Sequence, residues 1–451
     1  MSSVDVEILR LGIHGEGVGQ CGGKTLFVEG ALPGERVSAS VYEERKTYAR
    51  ARLRRVLSPS EHRERPPCPL FGQCGGCQLM HLSYEQQLIM KRQRVVDALE
   101  RIGKLQGISV LPCKASPTPL AYRNKIQLPV QSGPDGMRIG LYAHHTHDVV
   151  DVEACAIHCP LGERAYREVR RVLLDSAVIP YDPETGRGEL RHILLRTALF
   201  SHQVLVVFVT AHDEPSSALL DAAEEIMHSM PQIRGIVQNV QSQSGNTVLG
   251  RSFYTLMGEG EIEERLCGLA FKVSPASFFQ VNPPQAQQLY KEVLFLAECK
   301  GHETVLDAYC GVGTLALIFA EHVRRVIGVE IVPEAIRDAK ENAHRNSISN
   351  AEFFCAPTEE FVQQIDPVDI VILNPPRTGC VPSALDALIK MRPPTILYVS
   401  CDPATLARDL AHLSQAGWQV DKVQPFDMFP QTAHVECAVR LKLPAALAAQ
   451  Q

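Results

Sequence analysis

Hydrophobic and polar positions divide the chain into three stretches of different period. Up to about residue 60, apolar residues come in short runs, 6–9, 25–28 and 36–41, separated by Gly12, Gly15, Gly17, Gly19 and a Pro33-Gly34 turn. So many strand-like runs between glycine turns, with little helical periodicity, predict a small β-barrel. Pro59, Pro66, Pro67 and Pro69 then punctuate a linker. Two helical stretches follow, the clearer over 84–101. Residues 120–260 predict a mixed α+β region with strands at 125–130, 192–197 and 203–210, the last two paired around Phe200-Ser201-His202. From about 286, helix and strand alternate regularly, with strands at 304–308, 325–329 and 369–373, followed by the apolar run 395–398. That alternation predicts an α/β, parallel, doubly wound sheet. The boundaries expected are 1–60 for the barrel, 61–270 for the central domain and 271–445 for the α/β domain, with residues 84–120 packing on the last.

Composition narrows the class. The chain has 451 residues, 45% hydrophobic and 21% charged, as expected of a soluble globular protein of about three domains. Its start lacks a basic and an apolar segment, and its most apolar stretches are broken by Arg196, His202 or Asp307. No export signal or membrane span is therefore expected, and the location expected is cytoplasmic. Fourteen cysteines in such a chain point to reduced thiols, metal ligands or catalysis rather than disulfides. A net charge of −6 does not advertise a polyanionic partner. Residues 45–65, however, carry Arg45, Lys46, Arg50, Arg52, Arg54, Arg55, Arg63 and Arg65 against Glu61 and Glu64. Such a run is either a solvated face or one that contacts phosphates.

Three constellations carry chemistry. Cys401 follows the strand-like run 395–398 and precedes a helix-like run, at the carboxyl end of a strand where open α/β sheets keep their chemistry. Gly311 and Gly313 lie in a strand–turn–helix segment where backbone amides can approach a ligand, and Glu330 ends the next strand, 19 residues past Gly311, where an acid can accept ribose hydroxyls. The pyrophosphate-binding third glycine is replaced by Ala316 and Leu317, and Asn374-Pro375-Pro376-Arg377 suits methyl rather than hydride transfer. S-adenosylmethionine is the cofactor these features favour. Cys68, Cys74 and Cys77, spaced C-x5-C-x2-C, can converge on one metal centre, with Cys155 or Cys159 as the fourth ligand. Spacing does not separate a four-iron cluster from zinc.

These residues resemble the RNA uracil-5-methyltransferases that carry an N-terminal TRAM domain, an OB-like barrel, and an iron–sulfur cluster. The similarity runs from Gly15-Glu16-Gly17 and Gly30-Ala31-Leu32-Pro33-Gly34-Glu35, through the cysteine motif, Tyr122-Arg123-Asn124-Lys125, Ser277-Phe278-Phe279-Gln280-Val281-Asn282 and the glycine turn, to Ser400-Cys401-Asp402-Pro403 and His434-Val435-Glu436-Cys437. The resemblance implies a Rossmann-like methyltransferase domain, with Cys401 as nucleophile and Glu436 as general base. Gln280, Tyr309, Thr314, Glu330 and Asn374 would line S-adenosylmethionine; Cys68, Cys74, Cys77 and Cys155 would hold a [4Fe–4S] cluster. The family usually has Asp where this chain has Asn374. Members with both barrel and cluster mostly resemble 23S ribosomal RNA enzymes, so 23S ribosomal RNA is the expected partner and transfer RNA the alternative. No obligate protein partner is evident.

The chemistry explains the residue types. Uracil C5 is too weak a nucleophile to attack a sulfonium methyl unaided. Thiolate addition at C6 gives C5 carbanion character, and a base must later remove the C5 proton so that elimination frees the enzyme. Asp402 beside Cys401 works against the thiolate, so activation is expected from the substrate or Arg377. His434 is expected to be structural. Two competing readings are an exocyclic-amino methyltransferase, which needs an aromatic where Arg377 stands and leaves Cys401 and Glu436 idle, and a non-catalytic RNA-binding protein.

Overall fold

The computed structural model describes residues 3–144, 146–243 and 245–448. Strands β1 (Ser3–Leu11), β2 (Gly17–Cys21), β3 (Lys24–Glu29), β4 (Arg36–Glu44) and β5 (Tyr48–Ser58) close into a barrel in the order β1-β2-β3-β5-β4. Val6, Ile8, Leu26, Val28, Val37, Ala39, Ala49 and Ala51 fill it. The sequence pattern missed β2, whose Gly17 and Gly19 read as turns, and β5, whose arginines disguise a strand. In β5 the period of two sends Ala49 and Ala51 inward and leaves Arg52 and Arg54 exposed. The basic run is therefore not one free phosphate-facing patch. Arg45 and Arg50 pair with Glu43 at 2.8 and 3.6 Å, and Arg63 reaches the fully buried Glu35 at 2.5 Å. Glu35 also accepts from the amides of Leu32 (2.8 Å) and Ser60 (3.3 Å), which ties the barrel to the linker. Burial opposes its ionisation, but Arg63 and these amides outweigh it and hold the carboxyl below its ordinary value.

The central sheet has the order β12-β11-β10-β9-β6-β7-β8. Its strands are β6 (Lys125–Gly133), β7 (Gly136–Tyr142), β8 (Val149–Asp151), β9 (Leu190–Ala198), β10 (Gln203–Thr210), β11 (Ile233–Val240) and β12 (Ser252–Gly258). The 9–10 hairpin turns at His202, as expected, in the left-handed region (φ 54°). The middles of β9 (193–195) and β10 (204–209) are apolar on successive residues because both faces are covered. Leu195 and Val206 face the cluster that includes residues of two helices, Pro160–Asp175 and Ser217–Ser229, while Leu194, Leu205 and Val207 face the α/β domain. A small hairpin, β13 (Ile262–Leu266) and β14 (Leu269–Val273), lies between.

The third sheet runs β17-β16-β15-β18-β19-β21-β20. β15 (Thr304–Asp307), β16 (Arg325–Glu330), β17 (Ala351–Cys355), β18 (Ile370–Leu373) and β19 (Thr395–Ser400) are parallel. β21 (Glu436–Lys442) is the exception: it runs antiparallel to both β19 and the edge strand β20 (Gln419–Phe426), which therefore points the same way as β19. The all-parallel expectation thus fails at this end, because the chain reverses through residues 427–435 and inserts β21 beside β19. One helix, α1 (Tyr84–Arg101), forms as predicted; the second helix expected after the cysteines is absent among the described residues before β6. α1 packs Val95, Ala98 and Leu99 with Leu406, Ala407 and Leu410 of α2 (Pro403–Gln415), the helix that follows Cys401. Gly103 allows this: a Cβ there would stand 2.8 Å from the Ala407 carbonyl. Among the described residues no helix is long and apolar enough to cross a membrane.

Candidate active site

Cys401 leaves the end of β19 one residue before the helix cap, half-buried. Asp402 caps α2, its Oδ1 accepting from the amides of Ala404 (2.8 Å) and Thr405 (3.0 Å). The acid expected to oppose thiolate formation is thus engaged with the helix N-terminus, and it opposes the thiolate only weakly. Burial pushes the Cys401 thiol up, Glu436 adds to this, and Arg377 and the residue's own amide oppose it; Asp402 contributes least.

The antiparallel insertion brings Glu436 to this point, since Ser400 pairs with Cys437 across β19 and β21. Glu436 is the first residue of its strand, 4% exposed, and burial raises its carboxyl to about 7 against the pull of Gln280 and Arg377. Gln280 is near enough to Glu436 and to the buried Tyr290 to favour the ionised form of each, so it stands at the acid as well as near the expected cofactor region. His434 is held neutral: burial, then Arg377, Arg94 and Lys91, lower it to about 4. It packs edge-on against Phe429 at 5.9 Å. A thiol, a carboxyl that titrates near neutrality and a guanidinium thus share one corner of the sheet, an arrangement able to add a nucleophile and move a proton.

The glycine turn follows β15. Gly311 (φ 53°) faces open space, whereas a Cβ on Gly313 (φ 83°) would meet Ala339 and Phe353 at 3.1 Å. Gly311 therefore leaves room for a ligand, and Gly313 serves close packing. Glu330, ending β16, accepts from the amides of Ile331 (2.8 Å), Val332 (3.0 Å) and Gly311 (3.3 Å). Tyr309 lies half-buried after β15, Thr314 opens the helix Thr314–Ala320, and Asn374 follows β18. Sequence reasoning passed over Asp307, the last residue of β15. It is 1% exposed, burial raises it to about 7, its Oδ2 accepts from the Ala316 amide at 3.1 Å, and its Oδ1 has no partner. An acid inside the apolar run Val305-Leu306-Asp307-Ala308 was the signal, since burial without use is costly. That unpartnered oxygen, the open side of Gly311 and Glu330 fit the polar groups of an adenosyl amino acid.

The second site is a cavity walled by Cys68, Cys74, Cys77 and Cys155 together with Leu70, Phe71 and Met80. Burial and then the other three thiols push Cys77 up to about 12, with Arg123 in opposition. Cys74 receives the Gly76 amide at 3.4 Å. Cys159 lies elsewhere, buried at the start of the helix Pro160–Asp175. Of the two candidates for fourth ligand, Cys155 alone lines this cavity. Among the described residues no three His, Cys, Asp or Glu side chains close on a point tightly enough to hold a metal ion; the four thiols surround a space instead.

Comparison with known proteins identifies both ends of the chain. Residues 258–443 match the family described as tRNA (uracil-5-)-methyltransferase, and residues 2–53 match the TRAM domain. A protein of Clostridium tetani named as an uncharacterized RNA methyltransferase is 39% identical over 97% of this chain and 96% of its own. Another, from Halalkalibacterium halodurans, is 40% identical over 98% and 97%. Among solved structures, the tRNA (uracil-54, C5)-methyltransferase of Pyrococcus abyssi, in complex with S-adenosyl-L-homocysteine, superposes with a TM-score of 0.79 at 27% identity, covering 97% of this chain and all of that one.

Proposed function

Because this chain belongs to the S-adenosylmethionine-dependent RNA uracil-5-methyltransferase family, we propose that it methylates C5 of a uridine in 23S ribosomal RNA through a covalent adduct between Cys401 and C6 of the base. The observation that carries this reading is the meeting of Cys401, Glu436 and Arg377 at the junction of β19 and β21. The target base is flipped out of its stack into this corner. Cys401, its proton released to water, bonds through Sγ to C6, and the electron pair of the C5–C6 double bond moves to C5 and the O4 carbonyl. S-adenosylmethionine supplies the methyl group that C5 then takes. Glu436, ionised, removes the C5 proton; the pair from that C–H bond restores the double bond and expels the thiolate. Arg377 favours the thiolate, and Gln280 fixes the Glu436 carboxyl. Asp307, Glu330 and Gly311 would hold the cofactor, with Gln280, Tyr309, Gly313, Thr314 and Asn374 at its edges; Asn374 offers an acceptor without the family's usual charge.

Cys68, Cys74, Cys77 and Cys155 would hold a [4Fe–4S] cluster. Tetrahedral zinc needs its four sulfurs about 3.8 Å apart, given Zn–S bonds of about 2.3 Å. Thiols arranged around an apolar cavity suit a larger inorganic core. It would act as a structural element, since no step above requires an electron.

Transfer RNA is the second reading, favoured by the Pyrococcus abyssi enzyme, whose match extends over the barrel and cysteine segments as well. The test incubates protein and labelled S-adenosylmethionine with ribosomal and transfer RNA from cells lacking the gene, followed by nucleoside mass mapping. The expected product is 5-methyluridine at a 23S position. Label confined to transfer RNA selects the second reading, and label on adenine amino groups rejects the mechanism.

A further inference from the structure

The loop that delivers Glu436 is held from the cysteine side. Gln431, 6% exposed and in the left-handed region (φ 70°), sits five residues before Glu436. Its carbonyl accepts from the amides of Gln78 (3.0 Å) and Leu79 (2.9 Å), the two residues after Cys77. Its side chain and amide are matched by Gln87 of α1: Gln87 Nε2 donates to Gln431 Oε1 (3.0 Å), and Gln431 N donates to Gln87 Oε1 (3.1 Å). Gln87 Nε2 also donates to the carbonyls of Leu79 (3.1 Å) and Leu82 (2.9 Å), so the same amide grips the cysteine segment. One residue earlier, the Pro430 carbonyl accepts from the hydroxyl of Tyr122 (3.1 Å), whose ring packs in the apolar cluster around Cys68, Cys77 and Cys155. Lys91 and Arg94 of α1 donate to the carbonyls of Phe429 (3.1 Å) and Ala433 (2.5 Å).

A left-handed glutamine whose amide, carbonyl and side chain are all engaged is a costly conformation, held only by its partners. Gln78 and Leu79 among those partners belong to the cysteine segment, and Gln87 of α1 grips the same segment through Leu79 and Leu82. We propose that Gln431 is a positioning residue through which the four-thiol site sets the geometry of Glu436: when the thiols lose what they bind, residues 428–436 loosen and the base leaves Cys401. This rests on the cluster reading above for the identity of the bound group, but not for the role of Gln431.

The test is amide hydrogen exchange read by mass spectrometry on anaerobically purified full-length protein, with iron measured in parallel. Gln431→Ala is expected to raise exchange over 428–436 about tenfold, as for one or two lost net hydrogen bonds, with iron retained. Removal of the metal from wild-type protein by chelator in air is expected to raise exchange in the same residues, beyond the cysteine segment itself. As Glu436 withdraws, alkylation of Cys401, followed on its own peptide, is expected to titrate at lower pH in both samples. Exchange that rises only over 68–82 after metal removal would overturn the coupling. Exchange over 428–436 left unchanged by Gln431→Ala would overturn the residue's role. Protein that never contains iron fails the cluster reading alone, and the Gln431→Ala arm still decides the positioning role.

Discussion

The two cysteine sites are opposite solutions to one problem. In both, burial raises the thiols. Around Cys77 the other sources of the shift are mainly more thiols, with only Arg123 in opposition. Such a set stays protonated until a cation or cluster takes the protons' place. At Cys401 the opposing charges are Glu436 and Arg377, one raising the thiol and one lowering it. That site is poised between two states, and protonating Glu436 removes the main charge that works against the thiolate. A thiol that must add to a base and leave again needs such a balance; a structural ligand does not. On the proposed roles, the difference between a ligand and a nucleophile lies less in the cysteine than in what faces it.

The largest effect expected from disturbing this contrast is at the base. Glu436→Gln should lower turnover by about 10²–10⁴ and cause the methylated adduct to accumulate, measurable as protein–RNA complex on denaturing gels. The raised carboxyl sets the sign of the pH dependence. Glu436 works ionised, so turnover should fall as pH drops through about 7, and the Gln variant should lose that limb. A variant that retains the limb would place the titrating group elsewhere.

The second disturbance is at the ligands. Cys155→Ser should abolish iron binding, whereas Cys159→Ser should retain it, as measured by iron content and visible absorbance under nitrogen. Equal loss in both would contradict the placement of Cys155 alone on the cavity. The smallest effect is at Arg377. Arg377→Gln should raise the Cys401 titration and slow its alkylation at pH 8 by about tenfold or less, without touching the metal. Faster alkylation would mean that Arg377 does not favour the thiolate.

Much of this was legible in residue order. The glycine turn, the strand-end Cys401, and α1 over 84–101 follow from local pattern, because each is fixed by its neighbours in sequence. What the sequence hid was long-range. β21 inserts antiparallel beside β19, and only that crossing explains why Glu436 meets a residue 35 positions upstream. Strand β5 was masked by its arginines, and the role of Arg63 with Glu35 needed the fold to bring residue 63 to residue 35. Asp307 was visible as a misplaced acid, yet its unpartnered oxygen required coordinates. Asp402 does raise the Cys401 thiol as its position in sequence implied, but least of the groups around it, and its capping of the following helix required coordinates.

The covalent adduct at Cys401 is tested with RNA in which 5-fluorouridine replaces uridine. Fluorine at C5 cannot leave as a proton, so the reaction stalls with the base attached to the protein. Incubation with S-adenosylmethionine, digestion and mass spectrometry should find methylated 5-fluorouracil on the peptide containing Cys401, and none in Cys401→Ala. An adduct on another cysteine, or equal behaviour of wild type and Cys401→Ala, would contradict the account.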